Sequence, residues 1–262
     1  MPIYTHGHHE TVLRSHRSRT AENSAAYLLP HLRSGLSLLD VGCGPGTITE
    51  DLARLVAPGR VTAIEPTPEA LSVAKRSVKT GDIRFETADV HDLPYANESF
   101  DIVHVHQVLQ HVHDPIRALR EMRRVTVAGG IVAARDADYA AMTWYPELPA
   151  LDEWLSVYRR TARHNGGEPD AGRRLLSWAR DAGFTDVTAT ASVWCYATAE
   201  ERQWWSGMWA DRVVESALAG QAVSYGYATR ADLARMSAAW REWGQAEDGW
   251  FAILHGEILA RP

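Results

Sequence analysis

Residues 38–47 read LLDVGCGPGT, and this stretch decides the fold. An apolar strand runs into a glycine-rich turn, and a helix is predicted directly afterwards, over 48–56. Glycine is needed where the backbone takes a positive φ or must approach a ligand closely. The first amides of the helix face the turn with the positive end of the helix dipole. The pattern predicts a nucleotide-type binding loop at the tip of the first strand of an α/β sheet.

The spacing of the glycines separates two kinds of nucleotide site. A dinucleotide-binding loop reads G-x-G-x-x-G, and its third glycine would fall at Thr47. Glycine stands instead at Gly42, Gly44 and Gly46, preceded by Asp40. A carboxylate this close would repel a diphosphate and attract a ligand that carries an ammonium or sulfonium group. The loop resembles motif I of the class I S-adenosylmethionine (SAM) methyltransferases, [DE]-x-G-x-G-x-G, and disfavours the alternative of an NAD(P)-type Rossmann oxidoreductase.

Three further segments follow in the order that this family shows. Strand two ends in Glu65, where a carboxylate can accept both ribose hydroxyls. Strand three ends near Asp89; in the family, a carboxylate there takes the adenine amino group. Strand four, 100–106, runs into QVLQHVHDP at 107–115, which resembles the F-D-x-V…L-x-H-V-x-D-P block of ubiquinone and menaquinone methyltransferases. The resemblance implies membership of that subgroup.

The resemblance also implies SAM as the methyl donor and S-adenosylhomocysteine as the product. The predicted cofactor-binding residues are Asp40, Gly42, Gly44, Gly46, Thr47, Glu65, Pro66, Asp89, Val90, His106, Gln107, His111, Arg19 and Tyr4. Tyr4 and Arg19 are included because related enzymes place an amino-terminal aromatic near the methyl group and an arginine on the methionine carboxylate. Both belong to the polar segment 1–20, which we expect to be a mobile arm over the donor; the alternative is a solvated terminus.

Alternating strands and helices predict a parallel sheet with ligands at the carboxyl ends of its strands. The expected fold is α/β, a Rossmann-like seven-stranded, mostly parallel sheet whose last strand is antiparallel. Insertions at about 140–169 and 198–247, after strands five and six, break the alternation, and the second should contain three short helices. We expect both insertions to form a helical lid within a methyltransferase domain over 21–262.

Tryptophan is unusually frequent, with ten copies, most of them outside the motif region. Aromatic walls exclude water, stack on flat molecules and tolerate a cation, which suits methyl transfer in a dry pocket. The alternative is that these rings only pack the insertions. The predicted acceptor-binding residues are Trp144, Tyr139, Trp204, Trp205, Trp209 and Arg174.

A hydroxyl acceptor would need a base, and the candidates are His106, Asp138 and Tyr4. The imidazole of His106 lies at the tip of strand four and can titrate near neutral pH, although it could equally form a pocket wall. The histidines of this region could also hold a metal. We expect none, because the resembled block carries a histidine at the position of His111 without a metal, and His104 should be buried in the sheet.

Amino-acid composition and net charge indicate which partners and which location to expect. A net charge of −6 argues against a nucleic acid partner. Two cysteines support no disulfide framework, and neither a signal peptide nor a membrane span is recognisable. We therefore predict a cytoplasmic monomer or homodimer, without a membrane partner, that methylates a small, partly apolar or aromatic molecule at O, N or C. The alternative from another class is a catalytically silent SAM-binding regulator or partner subunit.

Overall fold

The computed structural model describes residues 16–262, whose sheet has eight strands. The strands are β1 (Leu38–Val41), β2 (Val61–Glu65), β3 (Ile83–Thr87), β4 (Phe100–His106), β5 (Thr126–Ala137), β6 (Thr143–Tyr145), β7 (Asp186–Tyr196) and β8 (Trp250–Arg261). Their order is β3-β2-β1-β4-β5-β8-β6, with β7 also paired to β8. Strands β1 to β5 pair in parallel, whereas β8 is antiparallel to its three neighbours.

Nine α-helices connect or cover these strands in the described part of the chain. They are α1 (Ala21–Ser24), α2 (Thr47–Val56), α3 (Pro68–Ser77), α4 (Pro115–Val125), α5 (Pro149–His164), α6 (Leu175–Asp181), α7 (Ala199–Glu215), α8 (Ala217–Ser224) and α9 (Arg230–Gln245). The first insertion therefore contains α5, and the second contains α7, α8 and α9, the three helices that were expected.

The expected α/β fold with a mostly parallel sheet and an antiparallel last strand is confirmed. The structure adds β6, a three-residue strand inside the first insertion that pairs with β8 and precedes Pro146. So short a strand carries no recognisable period, because alternation must extend over four or more residues to be read.

The sequence that follows the polar segment predicts a first helix over 21–32, and this prediction is wrong in its length. Helix α1 ends at Ser24, and the chain continues through a 3-10 turn, Leu29–His31. Pro30 lies within that turn, and a proline inside an α-helix would remove a hydrogen bond and clash with the preceding turn. A capping box between Thr20 and Asn23 fixes the start of α1.

Separate apolar clusters fill the two faces of the sheet and the lid. One cluster packs the sheet against α4 and α6, and a second packs its other face against α1 and α2. The third joins α5 to α7, α8 and α9, with Trp154 at its centre. The ring of Trp154 meets Trp209 at 4.6 Å and Trp240 at 4.8 Å, both edge to face. We call α5 with α7–α9 the lid; its two halves come from different insertions and share this core.

Among the helices of the described residues, none combines the length and apolar character needed to cross a bilayer.

Trp240→Ala tests the shared lid core. Trp240 is fully buried, so we expect its truncation to lower the free energy of unfolding by about 3–5 kcal/mol, through lost burial and an unfilled cavity. Denaturant titration measures this change. Trp250→Ala removes the same side chain where it is 41% exposed, and should cost about 1 kcal/mol or less. Equal losses in the two variants would contradict a core centred on the lid.

Candidate active site

A cavity of about 500 Å³ opens at the carboxyl ends of β1, β2 and β4. Of the residues predicted to bind the cofactor, those that line it are Arg19, Asp40, Gly42, Gly44, Thr47, Glu65, Pro66, Asp89, Val90, His106, Gln107 and His111. Gly46 lies just behind them as the N-cap of α2, and Tyr4 falls outside the described residues. The sheet thus brings motifs from four strands to one edge, and we call this space the donor cavity.

The glycine loop needs its glycines for two different reasons. Gly42 has a φ of 69°, and a Cβ on it would overlap the side chain of Val108. Gly44 has a φ of 56°, and the place where its Cβ would stand is open. Its amide donates a hydrogen bond to the Glu65 carboxylate. The loop is therefore packed tightly below and leaves backbone free to approach a ligand above.

The carboxyl of Glu65 is largely enclosed, and few neighbouring groups oppose the effect of this enclosure on its pKa. Burial raises the pKa of this carboxyl to about 7; the Gly44 amide opposes the rise, and the nearby Asp40 adds to it. At neutral pH the group is poised between its two protonation states. A ligand that donates hydroxyl hydrogens to it would favour the ionised form, because a carboxylate accepts on both oxygens.

Asp40 lines the donor cavity, yet protein groups occupy both of its oxygens. One oxygen lies 2.7 Å from Nδ1 of His104, and the other accepts from the hydroxyl of Thr49. His104 is fully buried in β4, as expected. The carboxylate therefore ties β1, β4 and α2 together below the glycine loop, while its negative charge stays close to the cavity.

Asp89, which follows the end of β3, lies in the wall of the donor cavity together with His91 and His113. One oxygen of Asp89 accepts from the backbone amide of His91 at 2.9 Å and lies 2.7 Å from its Nδ1. The hydrogen bond from the backbone amide of His91 is the main cause of the lowered pKa of Asp89. The rings of His91 and His113 stand 4.3 Å apart, and both residues line the cavity. The sequence shows that His91 lies close to a strand end, but it does not show the hydrogen bond between His91 and Asp89.

Gln107 forms the boundary of the donor cavity in an unusual backbone conformation. Its φ is 53°, a left-handed value that costs energy for any residue other than glycine. Its Oε1 accepts from Nη2 of Arg19 at 2.7 Å, so its amide nitrogen faces the other way, 2.8 Å from Nε2 of His255. His255 must then accept through Nε2 and donate through Nδ1 to the Ile253 carbonyl, 3.2 Å away.

A second, smaller cavity of about 40 Å³ lies behind this boundary, and we call it the lid cavity. It shares His16, Arg19, Gln107 and His111 with the donor cavity. The remaining lining residues come from the loop after β4, from β5 and the turn after it, and from β7, β8 and α7: Gln110, Ala137, Tyr139, Met142, Trp194, Tyr196, Trp204, Trp205, Trp209, Arg212 and Ile253. The structure thus joins the two spaces through a common wall.

The predicted acceptor-binding residues divide into two groups. Tyr139, Trp204, Trp205 and Trp209 line the lid cavity. The other two do not: Trp144 stacks on Phe251 with ring centroids 5.6 Å apart, and Arg174, about half exposed, pairs with Glu168 at 3.2 Å. Trp194, Tyr196 and Arg212 were missed, because only the folded chain shows which aromatic and basic residues of β7 and of the second insertion face inward.

The contacts of Asp138 speak against its predicted role as a base. It is buried, lies outside both cavity linings as far as the described chain shows, and receives two hydrogen bonds from Arg173. Both of its carboxylate oxygens are therefore engaged by the guanidinium of Arg173.

His106 lies in the donor cavity wall, but its surroundings correct the expectation of a near-neutral pKa. Burial, then the guanidinium groups of Arg19 and Arg135, hold the pKa of this imidazole well below its usual range. Within residues 16–262, neither ring nitrogen has a hydrogen-bond partner. The nearby His111 has a pKa lowered to about 3, first by burial and then by Arg19. Both rings are therefore neutral at physiological pH.

The described residues suit a nucleoside with a cationic centre better than a metal ion. The donor cavity offers open backbone at Gly44 and the buried carboxyl of Glu65, and the buried charge of Asp40 lies close by. Within residues 16–262, no group of three or more histidine, cysteine or carboxylate side chains has an arrangement that could hold a metal. The arrangement fits SAM as the sequence motifs imply.

Comparison with known proteins points the same way. Residues 39–134 match the family described as methyltransferase domain. An uncharacterized methyltransferase of Schizosaccharomyces pombe is 34% identical over 268 residues, which cover 98% of this chain and 95% of that protein. Demethylmenaquinone methyltransferase of Staphylococcus aureus is 33% identical over 129 residues, covering 48% of this chain and 51% of that protein.

The fold has solved counterparts as well. Phosphoethanolamine N-methyltransferase 2 of Haemonchus contortus, in complex with SAM, superposes with a TM-score of 0.55 at 16% identity, over 90% of this chain and 52% of that one. This likeness concerns the fold. The glycine loop, the strand order and the match along nearly the whole S. pombe protein together place the chain in the class I SAM-dependent methyltransferases.

Proposed function

We propose that this enzyme transfers the methyl group of SAM, bound in the donor cavity, to a small molecule with an aromatic or apolar body in the lid cavity. The observation that carries the proposal is the common wall of the two cavities, formed by His16, Arg19, Gln107 and His111. Methyl transfer requires donor and acceptor to meet in line without water between them. Two spaces in contact, one of them closed by a lid, provide that arrangement.

Each part of the donor molecule has a matching group in the donor cavity. Glu65 would accept the ribose hydroxyls, and Asp89, already oriented by His91, would meet the adenine amino group. The open backbone at Gly44 would let the methionine part lie against the loop. Arg19 would take the methionine carboxylate, held in place by its hydrogen bond to Gln107. When bound, SAM supplies a sulfonium-activated methyl group.

The aromatic lining of the lid cavity supports a flat or apolar acceptor. Tyr196 and Trp205 stack with centroids 4.4 Å apart, and Trp209 is buried beside them. A free volume of about 40 Å³ holds only a few water-sized groups, so a ring must displace lid side chains on entry. Trp194 and Trp204 are the indoles of this lining that are partly exposed. We expect the lid to open for the acceptor and to close over it.

The protonation states favour catalysis by alignment. His106 and His111 are neutral at physiological pH and are weak bases, and Asp138 is held by Arg173. With His106 and Asp138 disfavoured among the candidates in the described residues, we expect an acceptor atom that is nucleophilic on its own, as a phenolate, a carboxylate or an activated carbon is. Tyr4 stays a prediction, as do the mobile arm over 1–20, the cytoplasmic location, the lack of a nucleic acid partner and the monomeric or dimeric state.

A methyl-transfer assay tests the proposal directly. The purified protein is incubated with SAM labelled in its methyl group and a panel of phenols, aromatic acids and aromatic amines. We expect label to move to at least one aromatic acceptor. A protein that binds SAM but labels none of the panel, and also lacks activity on a cell extract of small molecules, would support the silent-regulator alternative.

Glu65 should make donor binding depend on pH. Its pKa of about 7 means that the ionised fraction rises about tenfold between pH 6 and pH 8, so the affinity for S-adenosylhomocysteine should rise by about the same factor. Glu65→Gln should bind about 10- to 100-fold more weakly at pH 8 and lose this dependence. Calorimetry at both pH values measures the affinity, with Glu69→Gln on the exposed side of α3 as control. An unchanged pH dependence in Glu65→Gln would remove Glu65 from the ribose site.

The variant His106→Gln should show whether His106 acts as a base or only forms part of the cavity wall. Because its lowered pKa makes the imidazole a weak base, we expect the variant to lower turnover less than about tenfold and to leave the pH–rate profile between 6 and 9 unchanged. A positioned base is worth about 100- to 10,000-fold. A loss of that size, with S-adenosylhomocysteine affinity intact, would restore His106 as the base.

A further inference from the structure

The side chain of Gln110 carries an oxygen that the fold leaves without a hydrogen bond. Gln110 belongs to the loop after β4, lines the lid cavity and is only 3% exposed. Within residues 16–262, its Oε1 is buried and has no hydrogen-bond partner. A buried acceptor of this kind costs free energy, because it has lost water and gained no partner in exchange. In a cavity wall, such an atom indicates a place that a bound molecule completes.

The other polar groups of Gln110 are engaged. Its backbone amide donates to the carboxylate of Asp136 at 3.1 Å, and its carbonyl oxygen accepts from the backbone amide of Glu168 at 2.9 Å. Its side-chain Nε2 lies 3.0 Å from Nε2 of His111, so the oxygen stands on the opposite side of the amide. Contacts on both sides of the peptide unit and at the amide nitrogen hold the residue in place, and Oε1 is left over.

The rest of the lining contains no equivalent of this oxygen in the described chain. The amide of Gln107 is engaged at both of its ends. The indole nitrogen of Trp205 also lacks a hydrogen-bond partner, but so do those of Trp154 and Trp240 in the lid core, so this property does not distinguish the cavity from the core. Among the described residues of the lining, Gln110 provides the one buried acceptor atom without a partner.

A ligand reaches this oxygen when the lid opens. The free volume of the closed lid cavity is about 40 Å³, so a ring enters only when lid side chains are displaced, and that displacement also gives a ligand group access to Oε1. The stacked rings of Tyr196 and Trp205 line the same space and offer an aromatic surface to the body of the ligand. His111, the next residue along the chain, lies in the wall shared with the donor cavity, so a molecule held at Gln110 lies beside the donor.

We propose that the methyl acceptor carries an un-ionised hydroxyl group that donates a hydrogen bond to Oε1 of Gln110, and that this bond selects the acceptor. The inference rests on the proposed function and names the substrate class, a hydroxylated aromatic molecule. An amide oxygen accepts but cannot donate, so it distinguishes a hydroxyl from an ether or a bare ring. A site that pairs a hydroxyl rejects an analogue without one, because its own polar group then stays buried and unpaired.

The hydroxyl that binds Gln110 is distinct from the atom that receives the methyl group. An ionised oxygen has no hydrogen to donate, and an activated carbon has none to offer to an amide oxygen. Gln110 therefore determines specificity and orientation and takes no part in the transfer itself.

Matched ligands test the proposal on the protein saturated with S-adenosylhomocysteine, at pH 6, where the phenols used are neutral. The probes are 4-hydroxyacetophenone and 6-acetyl-2-naphthol, with the methyl ethers and the unsubstituted ketones of both series. Calorimetry should show at least one hydroxyl ketone binding about tenfold or more tightly than its ether, and about threefold or more tightly than the bare ketone. Affinity no higher than that of the bare ketone in both series, or failure of both hydroxyl ketones to bind while S-adenosylhomocysteine binds, would overturn the proposal.

Variants assign the effect to Gln110. Gln110→Met keeps the length of the side chain and removes the amide, so the advantage of the hydroxyl over the bare ketone should disappear. Gln110→Glu keeps an acceptor oxygen in either protonation state and should retain the advantage. Gln203→Met, which replaces an exposed glutamine of α7, should behave like the unchanged protein. An advantage that survives in Gln110→Met would refute the assignment.

Affinity for S-adenosylhomocysteine is measured in every variant and reports on folding and on the donor cavity. If Gln110→Met alone loses this affinity, the ligand comparison in the unchanged protein and in Gln110→Glu decides the inference. Loss of the affinity in the unchanged protein would contradict the proposed function itself. A protein that prefers the hydroxyl ketones but transfers no methyl group to any acceptor would likewise contradict the proposed function and not the hydrogen bond to Gln110.

Discussion

Two side-chain hydrogen bonds, from Arg19 to Gln107 and from Gln107 to His255, set the boundary on which the rest of the site depends. They connect the entry to α1, the tip of β4 and the last strand, which are distant in sequence. The left-handed backbone of Gln107 aims its amide across this gap, and the energy it costs is of the kind found at functional sites. Because guanidinium can only donate, the amide has one orientation and His255 one tautomer. The donor cavity and the lid cavity are thus divided by a wall with a defined polarity.

The residues that line the donor cavity could be predicted from the sequence, because local sequence determines their positions. The glycine loop, Glu65 and Asp89 each follow directly from a strand, and parallel strands bring their carboxyl ends to one edge. The acceptor half was only partly readable. Trp204 and Trp205 were chosen for their residue type, whereas Arg212 and His255 depend on how helices and strands far apart in sequence pack.

Protonation states were the least predictable property. An isolated histidine titrates near neutral pH, and His106 was considered as a base on that ground. Its position among buried rings and two arginines removes that capacity, while burial brings Glu65 into the range where histidine usually titrates. Residue identity fixes the starting value of a pKa, but desolvation and neighbouring charges, which only the fold supplies, decide the final one.

The lid has an apolar core of its own, distinct from the clusters on the two faces of the sheet. Substitutions inside that core can therefore reshape the lid cavity while the glycine loop and Glu65 keep their positions. Such independence makes the lid an evolutionary module: a lineage could acquire a new acceptor by replacing a few rings around Trp209 and still inherit donor binding intact.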